Sequence, residues 1–263
     1  MRHLITLWNY RYFVMSSIKN EFKTKFIRSK LGGLWVILNP LAQVAIYALV
    51  LSAVLSAKLP GIDSRYAYAI YLMAGILGWN LFSEILGRCV NVFVDNANLL
   101  KKMAFPKMTL PLIIFGSSLV NNILLFLAIL VVFGLLGHYP NSSVVWLIPL
   151  TVLISFLALG MGLILGIMNV FLRDINQIVP IILQFWFWLT PIVYSWGIIP
   201  PKYLYLVMLN PIAGIIKGYQ DILVYGKVPN VSDLLYPLCL SIVLILIALW
   251  MFIKANEEMT DVL

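Results

Sequence analysis

MTLPLIIFGSSLVNNILLFLAILVVFGLLGHYPNSSVVWLIPLTVLISFLALGMGLILGIMNVFL, from Met108 to Leu172, runs for 65 residues without one Asp, Glu, Lys or Arg. A soluble core never needs so long an uncharged stretch, because its chain keeps returning to water. A bilayer does, since about 20 apolar residues are required to cross ~30 Å of hydrocarbon as a helix. The run is long enough for two crossings and is broken once, at Gly137-His138-Tyr139-Pro140-Asn141-Ser142-Ser143. That cluster reads as a turn at a membrane surface. The class follows: an all-α integral membrane protein.

The whole chain agrees. Of its 263 residues 62% are hydrophobic and 11% charged, where soluble proteins carry about 25% charged. Uncharged windows predict six spans: Leu34–Ala57, Tyr66–Arg88, Leu110–Gly137, Val144–Leu172, Ile178–Ile198 and Leu234–Ile253. The 14-residue stretch Tyr203–Ile216 is interrupted at Asn210-Pro211 and is too short to cross. It reads as a re-entrant or surface hairpin, within a longer segment 199–226.

Six crossings put both termini on one side. If that side is the cytoplasm, it holds thirteen Lys and Arg residues against five (Lys58, Arg65, Lys202, Lys217 and Lys227) on the other. This obeys the positive-inside bias, so both ends are expected in the cytoplasm of a multi-pass plasma (inner) membrane protein. The net charge of +8 is then mostly a topology signal, and nucleic acid is not an expected partner. Residues 1–33 form a separate segment. Arg11 and Lys19 interrupt the place where a signal peptide would be apolar. Trp8, Tyr12, Met15, Ile18, Phe22 and Phe26 instead recur at helical spacing beside Lys23, Lys25, Arg28 and Lys30. That pattern predicts an amphipathic helix in the cytoplasmic headgroup layer, apolar side towards lipid. Lys19 projects into the stripe, which leaves part of the helix for contact with protein.

The chemistry of an enzyme is missing from the sequence. His3 and His138 sit at opposite ends of the topology, and no H-E-x-x-H, G-x-S-x-G or paired-carboxylate cluster occurs in the spans. A nucleotide-binding P-loop is absent too: the only Gly-Lys, Gly226-Lys227, has Asp221 where the first glycine belongs. Cys89 and Cys239 fall in apolar runs and read as small apolar residues, so no metal site is expected. Within the spans, Glu84 stands four residues before Arg88, a spacing that predicts a local ion pair on one helix face.

Four segments carry something more specific. They are Lys25–Pro40 (KFIRSKLGGLWVILNP), Asn96–Lys107 (NANLLKKMAFPK), Arg173-Asp174-Ile175 followed by Thr190-Pro191-Ile192-Val193-Tyr194, and Leu209-Asn210-Pro211 followed by Gly218-Tyr219-Gln220-Asp221. In order and spacing this set resembles the permease subunit of type 2 ABC exporters, in the branch that exports surface polysaccharides such as lipopolysaccharide O-antigen and capsule. The resemblance implies a homodimer of this chain with two separate ATP-binding cassette subunits. ATP and Mg would be bound by those partners, leaving this chain without a cofactor. The expected cargo is an undecaprenyl-linked polysaccharide. Alternatives are a teichoic-acid or drug exporter of the same fold, or an integral-membrane enzyme of lipid-linked sugar metabolism.

The resemblance also gives each motif a task. Residues 95–107 become a coupling helix that docks on the ATPase through Asn98, Leu99, Leu100, Lys101, Lys102, Met103 and Phe105. The rival reading of a basic loop on anionic lipid rests on the same lysines. Aromatic rings are expected to line a glycan path: Tyr47, Phe185, Trp186, Trp188 and Tyr194, whose faces stack on sugar C–H surfaces. Trp35 and Trp196 read as interface anchors. Segment 199–226 becomes an external gate with Asn210, Pro211 and Tyr219 at its break. Ala158, Gly162 and Gly166 form a small-residue row that allows close helix approach.

Overall fold

The computed structural model describes residues 10–28, 34–55, 67–102, 106–255 and 258–262. The described residues contain helices and no strand. In chain order they are α1 (Arg11–Arg28), α2 (Trp35–Leu55), α3 (Ala67–Asp95), α4 (Ala97–Lys102), α5 (Thr109–Leu135), α6 (Leu147–Phe171), α7 (Ile175–Leu189), α8 (Pro201–Met208), α9 (Pro211–Leu223), α10 (Val231–Ala255) and α11 (Glu258–Val262). Four are long and apolar enough to cross a membrane: α3, α5, α10, and α6 together with the 3₁₀ turn Ser142–Trp146 that leads into it.

The predicted break in the uncharged stretch is where α5 stops. Gly137 takes φ +72°, the left-handed conformation that a residue without Cβ adopts freely, and His138 N–H turns back to the Phe133 carbonyl at 2.9 Å. Asn141 then starts the next helix, its Oδ1 accepting from Ser143 N–H at 2.9 Å. Its Nδ2 donates to the Gly226 carbonyl at 2.8 Å, and Gly226 has φ +63°.

Helix α3 is the axis of the fold. It packs against α6 most extensively and also against α5, α9, α2 and α7. Tyr71, Phe82, Ile85, Cys89 and Phe93 are all buried along it. The tightest seam is with α6. A Cβ on Gly162 would lie 2.6 Å from Cys89 Cβ and 3.2 Å from Leu86 Cα, and one on Gly166 would meet the Cys89 carbonyl. The small-residue row therefore faces the interior of the subunit. In lipid, close backbone approach and interhelical hydrogen bonds hold helices together, since tails are as apolar as the side chains. Helix α10 covers the other side of α6 and exposes most of its surface.

The fifth uncharged window is not one helix. Ile175–Leu189 is helical, after which Thr190–Tyr194 leaves the helix and a short 3₁₀ turn follows at Trp196–Ile198. The physical reason is Pro191, which disfavours helical geometry at Thr190, together with distant partners for the carbonyls released. The hairpin segment is two short helices, α8 and α9, separated at Leu209-Asn210. Residues 1–9, 29–33, Met103 and Phe105, and the side chains of Tyr47 and Lys102, lie outside what is described.

Candidate functional sites

The first site is built where the chain breaks after α7. Asn210 is its hub. The Asn210 Oδ1 accepts from Trp186 Nε1–H at 2.9 Å and from Ile212 N–H at 3.1 Å, capping α9, while its Nδ2 donates to Thr190 Oγ1 at 2.9 Å. Thr190 Oγ1–H in turn donates to the Trp186 carbonyl at 2.8 Å. The non-helical carbonyls are then satisfied from α3 and α9. Tyr68 OH donates to the Val193 carbonyl at 2.6 Å, Tyr71 OH to that of Tyr194 at 3.1 Å, and Gln220 Nε2 to that of Pro191 at 2.8 Å. Trp196 Nε1–H closes the set on Gln220 Oε1 at 3.0 Å. Irregular backbone among apolar helices needs this kind of satisfaction from surrounding protein.

The expected aromatic residues divide. Trp186 is tied down by Asn210 and meets Phe82 edge-on at 5.4 Å between centroids. Phe185 is 69% exposed and Trp188 51% exposed, both on the outer stripe of α7 with Ile178, Ile181, Ile182 and Leu189. Tyr194 is half-buried, its OH donating to the Leu189 carbonyl at 3.2 Å. Tyr219 is fully buried against α6, sharing a 2.8 Å hydrogen bond with Thr151. Pro211 is the first residue of α9, the position where a missing N–H costs nothing.

At the far end of α3 lies the second region. Asn96 Nδ2 donates to the Val92 carbonyl at 2.8 Å and turns the chain from α3 into α4. Asn98 and Lys101 are exposed on α4 and Leu99 is half-exposed. Leu100 points inwards and joins the subunit's own core, which sequence spacing alone did not distinguish from an outward anchor.

A third constellation was foreseen only as a local pair. Glu84 and Arg88 do approach, at 3.4 Å, but each is shared with other helices. Arg88 Nη2 pairs with Glu21 of α1 at 2.9 Å, and Nη1 donates to Ser117 Oγ of α5 at 2.8 Å. Glu84 Oε1 accepts from Ser118 Oγ–H at 3.0 Å and Asn121 Nδ2 at 2.6 Å. Asn122 Nδ2 donates to the Leu77 carbonyl at 2.9 Å. The readable signal was the row Ser117, Ser118, Asn121, Asn122, a polar face inside an apolar span. Helix α1 thus lies against α5 and reaches α3 through Glu21.

Outside the spans, burial pushes the Asp221 carboxyl above its usual range, with Lys217 and Lys227 opposing the shift and Asp233 adding to it. Lys217 Nζ meets Asp233 Oδ2 at 2.8 Å, binding α9 to the start of α10. Among the described residues no group of three or more His, Cys, Asp or Glu side chains could hold a metal ion.

Irregular backbone satisfied by side chains of neighbouring helices, set among four helices long and apolar enough to cross a membrane, marks a multi-pass membrane protein. The chain belongs to the ABC-2 type transporter family, which matches residues 12–224. It is 30% identical over 258 residues to the O-antigen export system permease protein RfbA of Myxococcus xanthus, covering 97% of this chain and 96% of that one. A protein of the same name from Klebsiella pneumoniae is 28% identical, with 92% of each covered. The polysialic acid transport protein KpsM of Escherichia coli is 22% identical, over 91% of this chain and 92% of its own length.

Proposed function

We propose that this chain is the transmembrane subunit of an ATP-driven exporter of a surface polysaccharide. The observation that carries the reading is the end-to-end similarity to O-antigen export permeases within the ABC-2 family. The cargo is a lipid-linked glycan of the O-antigen type, carried on undecaprenyl. Helices α2 and α7 complete six crossings with the four longer ones. Both termini face the cytoplasm, a reading supported by the thirteen-to-five distribution of Lys and Arg. Helix α1 lies at the cytoplasmic interface, exposing Tyr12 and Met15.

Two copies of the chain assemble with two ATP-binding subunits, which bind ATP and Mg. The exposed Ile178, Ile181 and Ile182 in the first part of α7 support contact with a second copy, leaving the rings further along the helix for the glycan. Helix α4 docks on the ATPase through Asn98, Leu99 and Lys101, and Leu100 braces it from within. Phe185, Trp188 and Tyr194 offer ring faces to the glycan, while Trp186 holds the gate through Asn210. Helices α8 and α9 form the external gate, hinged at Asn210-Pro211 and seated by Tyr219 on α6.

The test is genetic. Deleting the gene should abolish the surface polysaccharide and leave its lipid-linked precursor accumulating on the cytoplasmic face of the membrane. Normal surface display in the deletion strain would refute the assignment.

A further inference from the structure

A cleft of about 430 Å³ opens between α2, α3 and α5. Its wall carries Trp35 and Asn39 of α2, Asn80, Ser83 and Glu84 of α3, and Asn121 of α5. Membrane-spanning helices rarely gather so many amides and a carboxylate without a use for them, because each costs free energy in hydrocarbon unless it is satisfied. Asn121 is 4% exposed, and although its Nδ2 donates to Glu84, its Oδ1 has no hydrogen-bond partner. Depth is informative. At 1.5 Å per residue, Glu84 stands about 16 Å from the Asp95 end of α3 and Asn121 about 18 Å from the Thr109 end of α5. Those two ends flank α4; Asn121 is at mid-helix, Glu84 is nearer the α4 side by about 9 Å, and Trp35 begins α2, so the cleft reaches mid-span from the side that carries α4.

The lining selects its ligand by exclusion. Among its described lining residues the cleft carries the Glu84 carboxylate and no Lys or Arg, and the neighbouring Arg88 is already shared by Glu84 and Glu21, which disfavours phosphate and other anions. A metal cation would find a single carboxylate in the described lining, with Glu84 Oε1 already taking three donors, one of them the Arg88 guanidinium. An acyl chain would leave the amides unpaired. A neutral polyhydroxyl chain satisfies all the groups: amides both donate and accept, the carboxylate accepts, and the half-exposed Trp35 ring offers a stacking face. We propose that this cleft is a loading subsite for neutral sugar residues of the exported glycan. The proposal rests on the exporter reading and adds to it a place where sugars are held before they pass the aromatic residues of α7.

Site-specific photocrosslinking tests it in cells whose own lipid-linked glycan is radiolabelled through its sugar precursors. The photoreactive p-benzoyl-phenylalanine replaces Ser83 in the cleft, Trp188 on α7, or Ile148 on the apolar outer face between α6 and α10. Radiolabelled glycan should be captured at position 83 and not at 148, and Asn80→Leu should lower the yield at 83 at least fivefold with unchanged co-purification of the ATPase. Capture at 188 without capture at 83 overturns the subsite and leaves the exporter reading standing. Equal yields with and without Asn80→Leu overturn it as well, since the glycan would then pass the cleft without being held. Phospholipid adducts alone at 83 have the same consequence. The exporter reading is scored separately, by surface display of the polysaccharide in the deletion strain.

Discussion

Gly162→Ala tests the packing of α3 against α6 with a single methyl group. Its Cβ would come 2.6 Å from Cys89 Cβ and 3.2 Å from Leu86 Cα, where carbon atoms prefer about 3.5–4.0 Å. Two main-chain segments would have to part by roughly 1 Å along the most extensive seam of the fold, and overpacking of this kind costs about 1–3 kcal/mol. Helix propensity works the other way, favouring Ala over Gly by up to about 1 kcal/mol. The internal control is Gly87→Ala, one helix face away on α3, where a Cβ meets nothing within 4 Å. The expected outcome is a loss of up to roughly 2 kcal/mol for Gly162→Ala, from the overpacking range less the propensity gain, and no loss for Gly87→Ala. Thermal unfolding of the purified protein in one detergent, followed by near-UV circular dichroism, reads the difference. Equal melting temperatures for the two variants would refute the close α3–α6 approach.

Asn210→Ala should destabilise the α7–α9 junction by roughly 1–3 kcal/mol, because Trp186 Nε1–H loses its acceptor and α9 its cap; limited proteolysis between 198 and 212 should accelerate, and an unchanged cleavage rate would show that the hub does not hold the gate. Lys101→Glu should leave the chain membrane-inserted while reducing co-purification of the ATPase, and an unaltered yield with normal export would exclude α4 as the docking element. Phe185→Ala and Trp188→Ala should slow glycan export additively; by analogy with base–aromatic stacking, each ring is worth about 1–3 kcal/mol at most, so full export in the double variant would remove these rings from the path. Because burial raises the Asp221 pKa, the native state binds its proton more tightly than the unfolded chain, so this group weakens the fold at neutral pH and the penalty is relieved as pH falls through the raised value towards the ordinary carboxylate range. Asp221→Asn should therefore flatten the pH dependence of stability above that range, and an unchanged slope would contradict the assignment.

Local chemistry made some of this structure legible. The turn at Gly137–Asn141 was readable because Gly, Pro and Asn punctuate an otherwise uncharged run, and the Asn210-Pro211 break because Pro and an amide cap announce a helix start. What escaped was set by partners far away in sequence. Thr190–Tyr194 leaves the helix with its carbonyls met by Tyr68, Tyr71 and Gln220, none of which is a neighbour along the chain. The spacing of Glu84 and Arg88 foretold their pairing, yet not the sharing with Glu21, Ser117, Ser118 and Asn121, which depends on where α1 and α5 land. Leu99 and Leu100 looked alike as apolar anchors; only the angle at which α4 leaves α3 turns Leu100 into the core. For the aromatic run of α7, the alternation of exposed Phe185 and Trp188 with inward Trp186 and Phe187 follows from helical rotation once one contact, Trp186 to Phe82, fixes the register.

The central claim is coupled export, and reconstitution measures it directly. The chain is inserted into vesicles with its ATP-binding subunits, lipid-linked glycan is supplied on the face where those subunits sit, and appearance of the sugar chain on the opposite face is followed with a membrane-impermeant glycosidase. The account predicts transfer that requires both ATP and the ATP-binding subunits. Transfer at the same rate by this chain alone, with neither present, would contradict it.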